Sequence, residues 1–217
     1  YHHRGAHLNA VNNALSWELP KHPVYLWTLP MFHCNGWCFP WTLAATAGVS
    51  VCLRHVQAAA IYGALREHKV SHFCAAPIVL NMLNNADPAL KQGLDHPVKA
   101  MTAGAAPPAT VIAGMEAMGI AVTHVYGLTK TYGPCVVCEP QRRWQGQDAT
   151  TLSRLKARQG VASPLQGEMR VINPVSGEPV PMDGKTLGEI VLRGNIVMKG
   201  YLKNPSASEE AMAQGFV

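Results

Sequence analysis

The sequence predicts an α/β fold: a doubly wound, mostly parallel sheet with flanking helices, followed by a small antiparallel β unit. Short apolar runs recur at 24–29 (VYLWTL), 49–53 (VSVCL), 70–76 (VSHFCAA), 98–104 (VKAMTAG) and 121–127 (AVTHVYG). Near-continuous apolar runs of this length suit strands buried on both faces. Segments with helical spacing lie between them at 36–47, 57–67, 77–85 and 107–118, and strand–helix–strand alternation at that pitch makes a parallel sheet with right-handed crossovers. Beyond Cys138 the pattern changes. GEMRVINPVSGEPVPMDGKTLGEIVLRG alternates apolar and polar residues around turn signals at Asn173-Pro174 and Asp183-Gly184, which predicts antiparallel strands.

The segments at 77–85 and 107–118 open on prolines, which a first helical turn tolerates. Residues 139–163 are polar and basic and read as a long loop with one helical turn. The expected division is therefore an α/β part over 1–138, a polar loop over 139–163 and a β unit over 164–217. With 217 residues, 48% hydrophobic and 14% charged, the chain is long enough to bury a core.

The formal net charge of +5 has one local concentration, at Arg142, Arg143, Arg154, Lys156 and Arg158. Without interleaved aromatics it reads as a solvated loop, so no nucleic-acid partner is expected, although a mild positive field favours anionic ligands. No apolar run reaches the roughly 18 residues of a membrane span. A cytoplasmic protein is the expectation. The six cysteines sit mostly in apolar runs, which suits reduced, buried thiols better than a disulfide frame. Nothing in the sequence sets the oligomeric state.

Ligands bind doubly wound sheets at the carboxyl ends of the strands. Three loops there stand out: LPMFHCNGW after the first strand, TAGAAPP after the fourth and HVYGLTKTYGP ending the fifth. Small residues let a flat ring approach the backbone, a tyrosine supplies a stacking face, and Thr129 offers a hydroxyl to an anion. Cys135-Val-Val-Cys138, with Cys34, Cys38 and His33, is the rival signal for metal or redox chemistry. An extended Val136-Val137 would set those two sulfurs on opposite faces.

In their order and spacing, LPMFHCNGW, TAGAAPP, YGLTKTYGP and GEIVLRGNIVMKGYLKNP resemble the middle of an adenylate-forming acyl-CoA synthetase, with short- and medium-chain fatty-acyl-CoA ligases the nearest likeness. The resemblance covers essentially the whole chain. It implies an ATP-dependent acid–thiol ligase that joins a carboxylic acid to the α-phosphate of ATP and passes the acyl group to coenzyme A. ATP or AMP, coenzyme A and the acid are the implied partners, and magnesium is the implied ion. By the same resemblance Gly104, Ala105, Ala106 and Pro107 wall the adenine site. Tyr126 stacks on the base, His124 and Val125 meet its edge, and Gly127 and Thr129 adjoin the α-phosphate. His33, Cys34 and Trp37, with Gly104 and Gly127, line the acyl tunnel, which Trp37 shortens.

Thr129, His33 and Lys130 form the implied catalytic set. Where the family's motif has a glutamate that helps hold magnesium, this chain has Lys130. An ammonium cannot ligate that ion, so no metal ligand is assigned; Lys130 pairs with a phosphate or points outward. The resemblance also makes the chain a central section, with a phosphate loop before it and a ribose-binding aspartate and closing domain after it. Alone, it is expected not to form acyl-adenylate. Two other readings stay open: a non-catalytic nucleotide-binding remnant and an aryl-CoA ligase.

Overall fold

Strands β1 (Val24–Trp27), β2 (Val49–Cys52), β3 (His72–Ala75), β4 (Val98–Thr102) and β5 (Ile120–Leu128) run parallel in the computed structural model, which describes residues 1–212 and 215–217. Strands β6 (Gly133–Val137) and β7 (Val161–Ala162) continue the same sheet antiparallel. The order is β2-β1-β3-β4-β5-β6-β7. It reverses direction between β1 and β3, and connections that leave adjacent strands in opposite senses open a crevice at the strands' carboxyl ends.

One face of the sheet is covered by α1 (His3–Ser16), a single turn α2 (Cys34–Trp37) and α3 (Phe39–Ala45). Its core is aromatic, built from Trp17, Tyr25, Trp27, Trp37 and Phe39. On the other face lie α4 (Ala58–Glu67), α5 (Pro77–Asn84) and α6 (Ala109–Ala117), which seat Tyr62, Leu65, Leu80, Leu83, Ile112 and Met115 against Leu26, Phe73 and Ile120. Each such fully buried side chain contributes about 1.5–3 kcal/mol. The predicted doubly wound sheet is thus present, with each predicted strand and each predicted helix in place to within a few residues. Strands β8 (Glu168–Ile172) and β9 (Glu189–Arg193) form the separate antiparallel unit. A hydrogen bond of 2.7 Å from the Met198 N–H to the Lys130 carbonyl ties the segment after β9 to the end of β5.

Three local features differ from expectation. No apolar period announces α1, because its buried face is Asn9, Asn12 and Asn13 with Gly5, Ala6 and Ala10, none of which is a large apolar residue. The helix expected over 36–47 starts only at Phe39, since Cys34, Asn35, Gly36, Trp37 and Cys38 all have positive φ, from 43° to 67°. A left-handed turn costs about 1–2 kcal/mol at each non-glycine residue. At Gly36 a side chain is also excluded, because a Cβ there would sit 2.7 Å from the Trp27 ring. Finally, the polar stretch 139–163 carries α7 (Ala149–Lys156), started by Asp148, which accepts from the Thr150 and Thr151 N–H groups, and pinned to α6 by a Lys156–Glu116 ion pair. Its one buried residue is the polar Ser153 and the rest are exposed or half-buried, so composition disguised it as loop. The chain closes with α8 (Pro205–Ala211).

His72 lies inside this fold at 4% exposure, its ring edge-on to Trp17 at 4.9 Å and its Nε2 without a hydrogen-bond partner among the described residues. Burial, reinforced by the Lys99 ammonium, pushes its pKa down to about 4. Unfolded, the ring titrates near 6.5. The unfolded chain therefore binds more protons between these values, and stability should fall by about 3 kcal/mol as pH drops through that window. Urea midpoints of His72→Gln should be markedly flatter against pH over this range; an unchanged slope would assign the acid sensitivity elsewhere.

Candidate active site

The carboxyl ends of β1, β4 and β5 enclose a cavity of about 210 Å³. The segment after β1 contributes His33, Cys34 and Trp37, the loop after β4 contributes Ala103 and Gly104, and the end of β5 with the start of β6 contributes Gly127, Leu128, Thr129, Gly133 and Pro134. Glycine makes this closeness possible. A Cβ at Gly127 would lie 1.9 Å from the Gly133 carbonyl oxygen, and one at Gly133 would lie 3.0 Å from the Trp37 backbone. Gly104, at φ 89°, presents bare backbone with open space beside it. Such a wall admits a flat or acyl group that a side chain would exclude.

Between β5 and β6 runs a tight 3-10 turn, Thr129–Thr131. Thr131 builds it. Its Oγ1, fully buried, accepts from the Leu128 N–H at 2.9 Å and donates to the Gly133 carbonyl at 2.9 Å. The turn ends on Tyr132 in a left-handed conformation, φ 65°. Thr129 is exposed at the mouth with its Oγ1 3.3 Å from the Cys34 Sγ. A thiol is a weak partner, so this hydroxyl is free to donate to an incoming anion. Lys130 is half-buried, and among the described residues no carboxylate lies within 4.0 Å of its ammonium.

The structure gathers His33, Cys34, Trp37, Gly104, Gly127 and Thr129 around one cavity. Ala105 and Ala106 are exposed in the adjoining loop and Pro107 is buried. The remaining sequence-derived candidates take other surroundings. Val125 is a core residue at 2% exposure. Tyr126 is half-buried and packs beside Cys135 and Leu192, where burial raises its phenol pKa. The His124 ring is buried, its Nδ1 lying 2.9 Å from the Arg158 carbonyl, and burial lowers its pKa. Its carbonyl is engaged as well, accepting from the Cys138 N–H at 2.8 Å.

Sequence reasoning missed Asn9 and Asn13, whose partners Tyr132 and Trp37 lie 123 and 24 positions away, and it gave no role to Thr131 and Tyr132 within HVYGLTKTYGP. The Cys-x-x-Cys pair does separate. Cys135 packs with Leu192 and Ile196, whereas the Cys138 thiol donates to the Leu155 carbonyl on α7. Magnesium does not fit the residues present. The cavity wall supplies a hydroxyl, a thiol, an imidazole and backbone, with no carboxylate, whereas the ion wants hard oxygen ligands in a near-octahedral shell.

A five-stranded parallel core with a small-residue cavity at its carboxyl ends, closed by a threonine-bearing turn, defines an adenylate-forming enzyme domain. The chain belongs to the AMP-binding enzyme family, whose profile matches residues 2–202. It is 53% identical over 99% of its length to the acetate/butyrate–CoA ligase AAE7, peroxisomal, of Arabidopsis thaliana, and 48% identical over 99% to the acetate–CoA ligase CCL3 of Humulus lupulus. In each case the chain spans about 38% of the relative's length. Among solved structures, the N-terminal domain of FACL13 from Mycobacterium tuberculosis superposes with TM-score 0.80 at 22% identity, over 100% of this chain and 51% of that one. The O-succinylbenzoate coenzyme A synthetase of Bacillus subtilis in complex with ATP and magnesium ion gives 0.81 at 19%, over 99% of this chain and 42% of its own. These two likenesses show the fold.

Proposed function

We propose that the whole protein carrying this chain is an acyl-CoA synthetase for short carboxylic acids. The observation that carries this reading is the meeting of three loops around one cavity with the Thr129 hydroxyl at its mouth. In the first half-reaction the acid's carboxylate oxygen attacks the α-phosphorus of ATP, and the bond to pyrophosphate breaks. Thr129 donates a hydrogen bond to an α-phosphate oxygen as negative charge builds there. His33 stands near the carboxylate, and the Gly104 and Gly127 backbones lie against the acyl-adenylate. In the second half-reaction the coenzyme A thiol takes the acyl group and AMP leaves. Tyr126 and the 104–107 loop are proposed to hold the adenine.

Trp37 is proposed as the end of the acyl tunnel. It is 7% exposed and lines the cavity, and the relatives named for acetate and butyrate support a short acid. Trp37→Leu should therefore move the optimum towards longer acids, by about fourfold in kcat/KM for each added methylene, since a buried CH2 contributes about 0.8 kcal/mol. An unchanged chain-length profile would remove Trp37 from the tunnel.

The division at 1–138, 139–163 and 164–217 is proposed on the same footing, supported by the separate β8–β9 sheet. So is the reading of the chain as a section of a longer protein, supported by the share of its relatives that it spans. No helix among the described residues is long and apolar enough to cross a membrane. For the compartment we propose the cytoplasm; import of a fluorescent fusion of the whole protein into peroxisomes, the location in the Arabidopsis relative's name, would overturn it.

A further inference from the structure

Amides make up the buried polar face of α1: Asn9, Asn12 and Asn13 are 0%, 1% and 2% exposed. Burying an amide is unfavourable unless its hydrogen bonds are made, and the partners of these three are specific. The Asn13 Nδ2 donates to the Trp37 carbonyl at 2.9 Å, and the Asn9 Nδ2 donates to the Tyr132 carbonyl at 3.0 Å. Asn12 ties in the far side, donating to the Ser163 Oγ at 2.8 Å and to the Asn9 Oδ1 at 3.3 Å.

The two carbonyls gripped by Asn13 and Asn9 share an unusual property. Both belong to non-glycine residues in the left-handed region, Trp37 at φ 54° and Tyr132 at φ 65°. Each ends a turn that forms one wall of the cavity. Trp37 closes the turn bearing His33 and Cys34, and Tyr132 closes the turn bearing Thr129. Residues held in such conformations persist only where their surroundings over-determine them. Here part of that constraint is one rigid helix reaching both turns, four residues apart on the same face.

Resting on the ligase reading above, we propose that Asn13 and Asn9 are positioning residues with separable roles. Asn13 sets the acid-binding wall through the Trp37 carbonyl, and Asn9 sets the phosphate-binding turn through the Tyr132 carbonyl. The consequence is a division of kinetic effects that a purely structural role would not produce. Losing the Asn13 amide misplaces the Trp37 ring, so the acid is bound less well and selected less sharply. Losing the Asn9 amide loosens the turn beneath Thr129, so ATP is used less well and the choice of acid is kept.

The test is steady-state kinetics of Asn13→Leu and Asn9→Leu in the whole protein, with acetate, butyrate and hexanoate as acids. Asn13→Leu should raise the acid KM at least fivefold and flatten the chain-length profile, with the ATP KM within twofold of the parent. Asn9→Leu should raise the ATP KM or lower kcat at least fivefold, with the chain-length profile kept. Asn13→Gln and Asn9→Gln, which retain an amide donor, should recover part of each loss. Should the leucine variants fail to fold, Asn13→Ser and Asn9→Ser carry the same comparison; if these also fail, the asparagines are structural and the proposal falls. It also falls if both constants move together in each variant, or if neither moves in an enzyme that Thr129→Ala cripples. An enzyme that activates none of the acids overturns the ligase reading with it.

Discussion

Replacing Thr129 by alanine is expected to slow acyl-adenylate formation by about a hundredfold, the usual loss when one preorganised donor to a developing oxyanion is removed. The structure isolates this effect well. The Thr129 side chain is exposed and its only hydrogen-bond partner among the described residues is the Cys34 thiol at 3.3 Å, so deleting its hydroxyl strips little from the fold. Thr131, two residues on, carries the turn instead through its bonds to the Leu128 N–H and the Gly133 carbonyl. ATP–pyrophosphate exchange in the whole protein should therefore collapse in Thr129→Ala while the thermal midpoint holds. Thr129→Ser, which keeps the donor, should stay within about threefold of the parent rate. A full rate in the alanine variant would place the α-phosphate elsewhere.

Lys130→Glu is expected to act in the opposite direction, raising the adenylation rate at least tenfold and lowering the magnesium concentration needed for half-maximal rate. Lys130 follows Thr129 in the turn, half-buried and without a carboxylate partner among the described residues. Two unit charges about 4 Å apart interact by roughly 4 kcal/mol at an effective dielectric near 20. An ion beside residue 130 would be repelled by the lysine and attracted by a glutamate, which counts that interaction twice, although a lysine on a flexible stem recovers much of it by swinging into water. Tenfold, about 1.4 kcal/mol, is what survives a large discount. Equal rates and equal magnesium dependence in both forms would take Lys130 out of the metal shell. A slower Lys130→Glu enzyme would make the lysine a phosphate partner.

The sheet was legible because β1 and β3 are buried on both faces and so read as the apolar runs VYLWTL and VSHFCAA, while VSVCL is apolar although β2 is an exposed edge strand. The order of the cavity's three loops followed from where those runs end. What stayed hidden has a common cause: it depends on polar atoms paired across the chain. Asn9 and Asn13 look like surface residues of a helix until the Tyr132 and Trp37 carbonyls are seen opposite them. The left-handed turn at Cys34–Cys38 is invisible in HCNGWC, where one glycine marks a bend that four other residues share. His124 sits in the motif as a nucleotide contact, yet its ring pairs with Arg158, 34 positions away. α7 escaped for a different reason, since its buried side is only half-buried apart from the polar Ser153 and lacks an apolar stripe long enough to see.

The central claim is that this cavity activates short carboxylic acids with ATP. ATP–pyrophosphate exchange by the whole protein, measured against acetate, butyrate, hexanoate, decanoate and benzoate, tests it most directly. The account predicts acid-dependent exchange that peaks at acetate or butyrate, falls steeply by decanoate and disappears in Thr129→Ala. Exchange greatest with benzoate would make the protein an aryl-CoA ligase, and no exchange with any acid, in a folded protein that still binds AMP, would contradict the claim.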